Sequence, residues 1–199
     1  VDQSLKTLEI PNINNVLFQG IDVKKENKFL LAENNNDISE ESVLISEIII
    51  EGWENHPEGR KLELAAYDSM SIKPGSIVDN RILNQDLNAI YASGWFSGVK
   101  IKSQDGPLGV RLIVNVVPNP ILKKVELKPK NSVISNKYVD DIFNNFYGTT
   151  LNLNEFQNKK EIIKKRYEKE GYSLARINTP DRISENGIVT LKVSEGIIS

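Results

Sequence analysis

The feature that most constrains this chain is that it nearly repeats itself. The stretch AIYASGWFSGVKIK at 89–102 runs a helical pattern into a glycine, then an aromatic pair, then an alternating strand. IIKKRYEKEGYSLARI at 162–177 follows much the same plan. Gly94 and Gly171 stand 77 positions apart, and Val117 and Val193 stand 76 apart. A period of that length outranks any single motif, because each copy has to close the same small unit.

The first copy opens at Val43, where VLISEIIIEGW is a β-branched run closed by Gly52 and reads as a strand. Leu62, Ala65, Ala66 and Met70 then recur at helical spacing on one face, and Lys73-Pro74-Gly75 breaks that helix. Asp79 is placed to cap a second helix with the stripe Leu83, Leu87, Ile90 and Tyr91, and Gly94 sits where a left-handed C-cap closes it. GVKIK alternates, DGPLG turns, and VRLIVNVV is an almost continuous apolar strand. In the second copy, ILKKVELKP at 121–129 is the strand. Ser135 caps a helix with the stripe Val139, Ile142, Phe143 and Phe146, which Gly148 ends. Asn154 with Gln157 resembles a capping box for the next helix, which turns Phe156, Ile163 and Tyr167 inward and Lys159, Lys160, Lys164 and Lys165 towards water. Gly171 closes it, and YSLARI, SENG and IVTLKV form the final hairpin.

The order β-α-α-β-β, met twice, predicts an α+β chain of two tandem units. Each buries its apolar stripes as a three-stranded mixed sheet covered on one face by two helices. The crossover through the helices is long enough for the first strand to lie parallel to the third. The third strand is the most uniformly apolar and belongs in the centre. That leaves Val99, Lys100, Ile101 and Lys102 on one sheet edge, and Ser173, Leu174, Ala175, Arg176 and Ile177 on the other. An edge presents unpaired backbone donors and acceptors. Its lysines either protect it from aggregation or flank a place where an extended polypeptide adds as another strand. Between the units, Pro118, Asn119 and Pro120 leave almost no linker, and the two prolines predict a stiff connection acting as a narrow hinge. The expected boundaries are an N-terminal arm at 1–42, units at 43–119 and 120–196, and the start of a further repeat at 197–199. The arm is rich in Asn, Asp, Lys and Glu and too poor in apolar clusters to bury much. Its short apolar segments, Val16–Phe18 and Lys28–Leu31, are candidates for pairing. A chain that starts at Val1 without methionine reads as a processed or excised fragment.

Composition narrows the chemistry. A net charge of −2 and a pI near 5.6 argue against nucleic acid, and the lysines of KKEIIKKRYEKEG share their helix with Glu161, Glu168 and Glu170, as a solvated charged face does. Without cysteine there is neither a disulfide nor a thiolate metal site. His56 is the single histidine, in a polar loop with no cysteine to pair with, and Asp140 and Asp141 project to different sides of a helix. Trp53, Trp95 and Phe96 suit core or interdomain packing better than a stacking platform. The sequence therefore predicts no enzyme, no cofactor and no metal.

Tandem units of this length, with KPG between the helices, YASGWFSGVKI after them and a V-x-E-G-x-I boundary, resemble polypeptide-transport-associated (POTRA) domains. These are the periplasmic modules of the outer-membrane β-barrel assembly superfamily, and the Asn-rich arm points to its cyanobacterial and chloroplast branch. In repeat two GTTLNLNEF replaces the KPG turn, so no role is carried over to that loop. The resemblance implies a periplasmic, non-catalytic binder of unfolded outer-membrane protein precursors, ahead of a C-terminal membrane β-barrel of the same chain, with accessory periplasmic proteins as further partners. The alternatives are a spacer or docking module for a fixed accessory protein, and the POTRA region of a two-partner-secretion transporter.

Overall fold

The computed structural model describes residues 6–9, 42–129, 132–179 and 183–194. The apolar segments at 16–18 and 28–31 and the start of a further repeat at 197–199 lie outside the described residues. In chain order the elements are β1 (Lys6–Glu9), β2 (Val43–Glu51), α1 (Gly59–Ser69), β3 (Ile77–Val78), α2 (Asn80–Ala92), β4 (Phe96–Gly106) and β5 (Gly109–Pro118), and then β6 (Lys124–Lys128), α3 (Asn136–Phe143), a 3-10 turn (Asn144–Phe146), α4 (Leu153–Lys169), β7 (Arg176–Asn178) and β8 (Ile188–Ser194).

The helices follow from the spacings. Leu62 and Ala66 on α1 and Leu83, Leu87, Ile90 and Tyr91 on α2 are buried together with Ile45, Leu112, Val114 and Val116 of the sheet. The Asp79 carboxylate accepts the Ile82 N–H at 2.8 Å, the cap expected at the start of α2. In the second unit Val139, Phe143, Phe156, Ile163 and Tyr167 pack against Val125, Leu127, Val189 and Leu191. Ser135 caps α3 by accepting from the Tyr138 N–H. The expected capping box at Asn154 and Gln157 is displaced: Asn152 is the cap of α4, its oxygen accepting the Asn154 and Glu155 N–H groups at 3.0 and 3.2 Å. Among the lysines of α4, Lys160 is only partly in water, and burial holds its pKa below the ordinary value.

Both sheets place the third strand of the repeat in the centre. The first has the order β1-β4-β5-β2-β3 and the second β6-β8-β7. The β5 strand runs parallel to β2 and antiparallel to β4, and β8 likewise pairs parallel with β6 and antiparallel with β7. Two strands enlarge the first sheet beyond the expected three: β3 pairs with β2 at Val43 and Leu44, and β1 pairs with β4.

Asp86, on α2, is a feature the periodicity did not mark. It is 2% exposed, and its carboxylate accepts the Ser71 N–H and hydroxyl at 2.9 and 2.7 Å and the Ile72 N–H at 2.8 Å, tying the turn between the helices to α2. Asp86→Ala leaves the buried Ile72 N–H and the partly buried Ser71 N–H without their acceptor and is expected to cost about 2–4 kcal/mol, against about 1 kcal/mol for loss of the cap in Asp79→Ala. Urea unfolding followed by tryptophan fluorescence checks this, since both tryptophans, Trp53 and Trp95, pack on the first core.

Candidate functional site: sheet edges and the joint between units

Four outer strand edges exist in the two sheets, and the chain treats them unequally. The outer side of β6 is closed by its own unit: the Val125 N–H donates to the Tyr147 hydroxyl at 3.3 Å and the Leu127 N–H to the Asn136 side-chain oxygen at 3.0 Å. Tyr147 in turn donates to Asp140 at 2.8 Å. Burial, and then that hydrogen bond, push its hydroxyl up to about 12, so it keeps its proton. The outer side of β2 is covered only at its start, by β3 opposite Val43 and Leu44 and by the turn before it, with the Ile45 N–H on Ser76 O and the Gly75 N–H on Ile45 O. Such plugs remove the donors that a further strand needs.

The other two edges are those singled out in the sequence. Val99 and Ile101 are buried, Lys100 is exposed and Lys102 is half-buried, as alternation requires. This stretch is not a bare edge, however. Lys6, Thr7, Leu8 and Glu9 of β1 lie antiparallel opposite Ser103, Lys102, Ile101 and Lys100. This pairing was not foreseen, because KTLEI is too short a run in a polar arm to mark a strand. On the second sheet, Arg176 and Ile177 are in β7, but Ser173 and Leu174 form a turn and Ala175 is a buried residue before the strand. The edge is therefore shorter than expected and shifted to Arg176–Asn178, because Tyr172 folds the chain back, its carbonyl accepting the Ala175 N–H. Among the described residues no further strand pairs with β7.

The connection between units is a joint made of hydrogen bonds. Helix α2 ends on Gly94 at φ +81°, a backbone region that favours glycine. The four carbonyls around this glycine, from Ala92 to Trp95, all face donors from the connector or the second unit. Ala92 O accepts from Asn154 Nδ2 at 2.8 Å and Ser93 O from Asn152 Nδ2 at 2.9 Å. Gly94 O accepts from the Leu153 N–H at 2.8 Å and Asn119 Nδ2 at 2.9 Å, and Trp95 O from the Asn119 N–H at 2.9 Å. Asn119 Nδ2 also donates to Leu151 O at 3.0 Å, and this residue is 1% exposed. The middle of the expected Pro118-Asn119-Pro120 hinge is thus the most heavily bonded residue of the connection.

Across the same joint the Thr150 N–H and hydroxyl both donate to Glu58 Oε2 at 2.5 Å. Burial pushes the Glu58 carboxyl up, but the bonds from Thr150 and from Lys61 outweigh it and hold the group below its ordinary value. The remaining candidates are structural. The His56 Nδ1 accepts the Glu58 N–H at 3.2 Å in the turn entering α1, and the Trp53 indole donates to Ile50 O at 2.8 Å. Phe96 is fully buried in the first core. Among the described residues no helix is long and apolar enough to cross a membrane.

Two tandem units of this topology define a POTRA-type chain. Residues 121–196 match the family model described as POTRA domain, ShlB-type. The POTRA1-2 portion of the periplasmic domain of Omp85 from Anabaena superposes with a TM-score of 0.69 at 37% identity, covering 81% of this chain and 100% of that one. The N-terminal domain of Omp85 from Thermosynechococcus elongatus gives 0.70 at 38% identity, over 80% of this chain and 65% of that one. The chain belongs to the POTRA family of Omp85-type proteins, in the cyanobacterial and chloroplast branch. The chloroplastic outer envelope protein 80 of Arabidopsis thaliana is 26% identical over 195 residues, 97% of this chain and 26% of its own length. The rice protein of the same name is 26% identical over 162 residues, 80% of this chain and 24% of its own. The chain thus spans about a quarter of these curated relatives.

Two outcomes are expected of the joint. Asn152→Ala takes the donor from Ser93 O, and Asn119→Ala removes the side-chain bonds to Gly94 O and Leu151 O; each should widen the range of interdomain orientations, read from residual dipolar couplings of the two units. Because the folded Glu58 pKa is depressed, its contribution is present above the ordinary carboxylate value and is lost as pH falls through the folded one. The couplings should therefore loosen in acid, below the ordinary value of 4.5, and Glu58→Gln should abolish that dependence.

Proposed function

We propose that this chain is the periplasmic POTRA region of an outer-membrane protein that assembles or translocates other outer-membrane polypeptides. It binds them unfolded and hands them to a C-terminal membrane β-barrel of the same chain. Binding is by strand addition at the edges of β4 and β7, and no covalent chemistry is involved. Membership of the Omp85-type POTRA family supports the setting.

The observation that carries the binding mode is the contrast between edges. The outer side of β6 is closed by side chains of its own unit, whereas β7 has no outer partner among the described residues and β4 has only the four residues of β1 laid on it. Strand addition takes its affinity from backbone pairing and asks little of the client's side chains beyond alternation, which suits clients of many sequences.

An amide NMR titration with a peptide from the final strand of an outer-membrane barrel protein tests this. The expected shifts lie at Val99–Lys102 and Arg176–Asn178 and survive scrambling that preserves alternation. No shift at either edge at millimolar peptide would sink strand addition and leave a spacer or a dock for one fixed accessory protein as the function of the region.

A further inference from the structure

We propose that Lys6–Glu9 is a displaceable placeholder, an internal strand that competes with an incoming polypeptide for the β4 edge. The inference rests on the strand-addition reading above. The segment covers Lys100–Ser103, nearly the same backbone that the alternation at 99–102 marks as the client site. It lies antiparallel to β4, as a client strand could.

Its origin separates it from the other edge closures. Tyr147 and Asn136 reach β6 from 22 and 9 residues away within one unit. By contrast, the 33 residues from 10 to 42 separate β1 from β2. In the sheet, β1 is three strands from β2, about 14 Å at the usual spacing, and 33 residues reach up to about 110 Å when extended. The two strands run in the same direction, and a link of this length is ample to join them. Over that reach β1 can leave β4 without pulling on β2.

The energetics favour exchange. A four-residue strand held by one neighbour is marginal, while tethering keeps it at an effective concentration on the order of millimolar. A client meets an edge that is available for only part of the time, and its apparent affinity falls by that fraction. The edge is shielded against weak, accidental pairing and yields to a longer strand, since β4 runs over 11 residues and β1 covers four of them.

The chain has no cysteine, so Thr7→Cys with Lys102→Cys, residues directly opposite in the register, introduces a single possible disulfide. Binding of an alternating strand peptide to residues 1–199 is compared for the native chain, the oxidised and reduced double-cysteine variant, and Thr7→Pro/Leu8→Pro, in which β1 loses two N–H groups. Equal urea midpoints for the native and proline chains establish that the units stay folded. The expected result is loss of peptide-induced shifts at Val99–Lys102 on oxidation, recovery on reduction, and affinity about three- to tenfold tighter in the proline variant. Equal binding in all four overturns the placeholder and leaves strand addition standing at β7. A disulfide that fails to form, or forms only between chains, also overturns it. If even the proline variant gives no shift at Val99–Lys102, strand addition at β4 itself fails and the competitor role falls with it.

Discussion

The arrangement of the whole chain depends on the end of one helix. Helix termini leave carbonyls without intrahelical partners, and the carbonyls from Ala92 to Trp95 find theirs in Asn154, Asn152, Leu153 and Asn119. Asn152 serves both sides at once, its oxygen capping the start of α4 and its nitrogen satisfying Ser93 O beyond α2. The negative end of one helix dipole therefore faces the positive end of the next. Gly94 is held in this contact by its surroundings, since a Cβ there would come within 2.9 Å of the Asn152 oxygen.

This explains why the repeat breaks its own pattern where it does. In unit one the two helices are joined through KPG, a plain turn facing solvent at Gly75. In unit two the corresponding stretch is GTTLNLNEF, and it supplies Thr150, Asn152, Leu153 and Asn154 to the joint. The divergent loop is the docking element: its amides and hydroxyl bond the neighbouring unit while Asn152 also caps α4 of its own.

Much of the fold was legible because it depends on spacing within one element. The stripes of α1, α2 and α4, the caps at Asp79 and Ser135, and the central position of β5 and β8 all follow from local periodicity and the apolar character of single strands. The site was legible only in part. Alternation found β4, yet nothing in KTLE announces a strand that finds its partner more than ninety residues away. The β7 edge was misplaced by three residues at its start, because YSLARI alternates well enough to pass for a strand while Tyr172 turns the chain back. Asp86 was passed over as an ordinary polar residue, and Asn119 was marked for its place between two prolines and not for its side chain: a side chain that satisfies distant backbone groups leaves no periodic trace.

The doubly used asparagine has a consequence for how the units come into being. In a linear array, stability is the sum of each repeat's own free energy and the energy of its contact with the next. Here the contact term is written into the caps of the helices themselves, so the second unit completes α2 of the first as it folds. The first unit in turn presents the carbonyls that orient Asn152 before α4 has grown. Folding can thus spread from one unit to its neighbour in the order of synthesis.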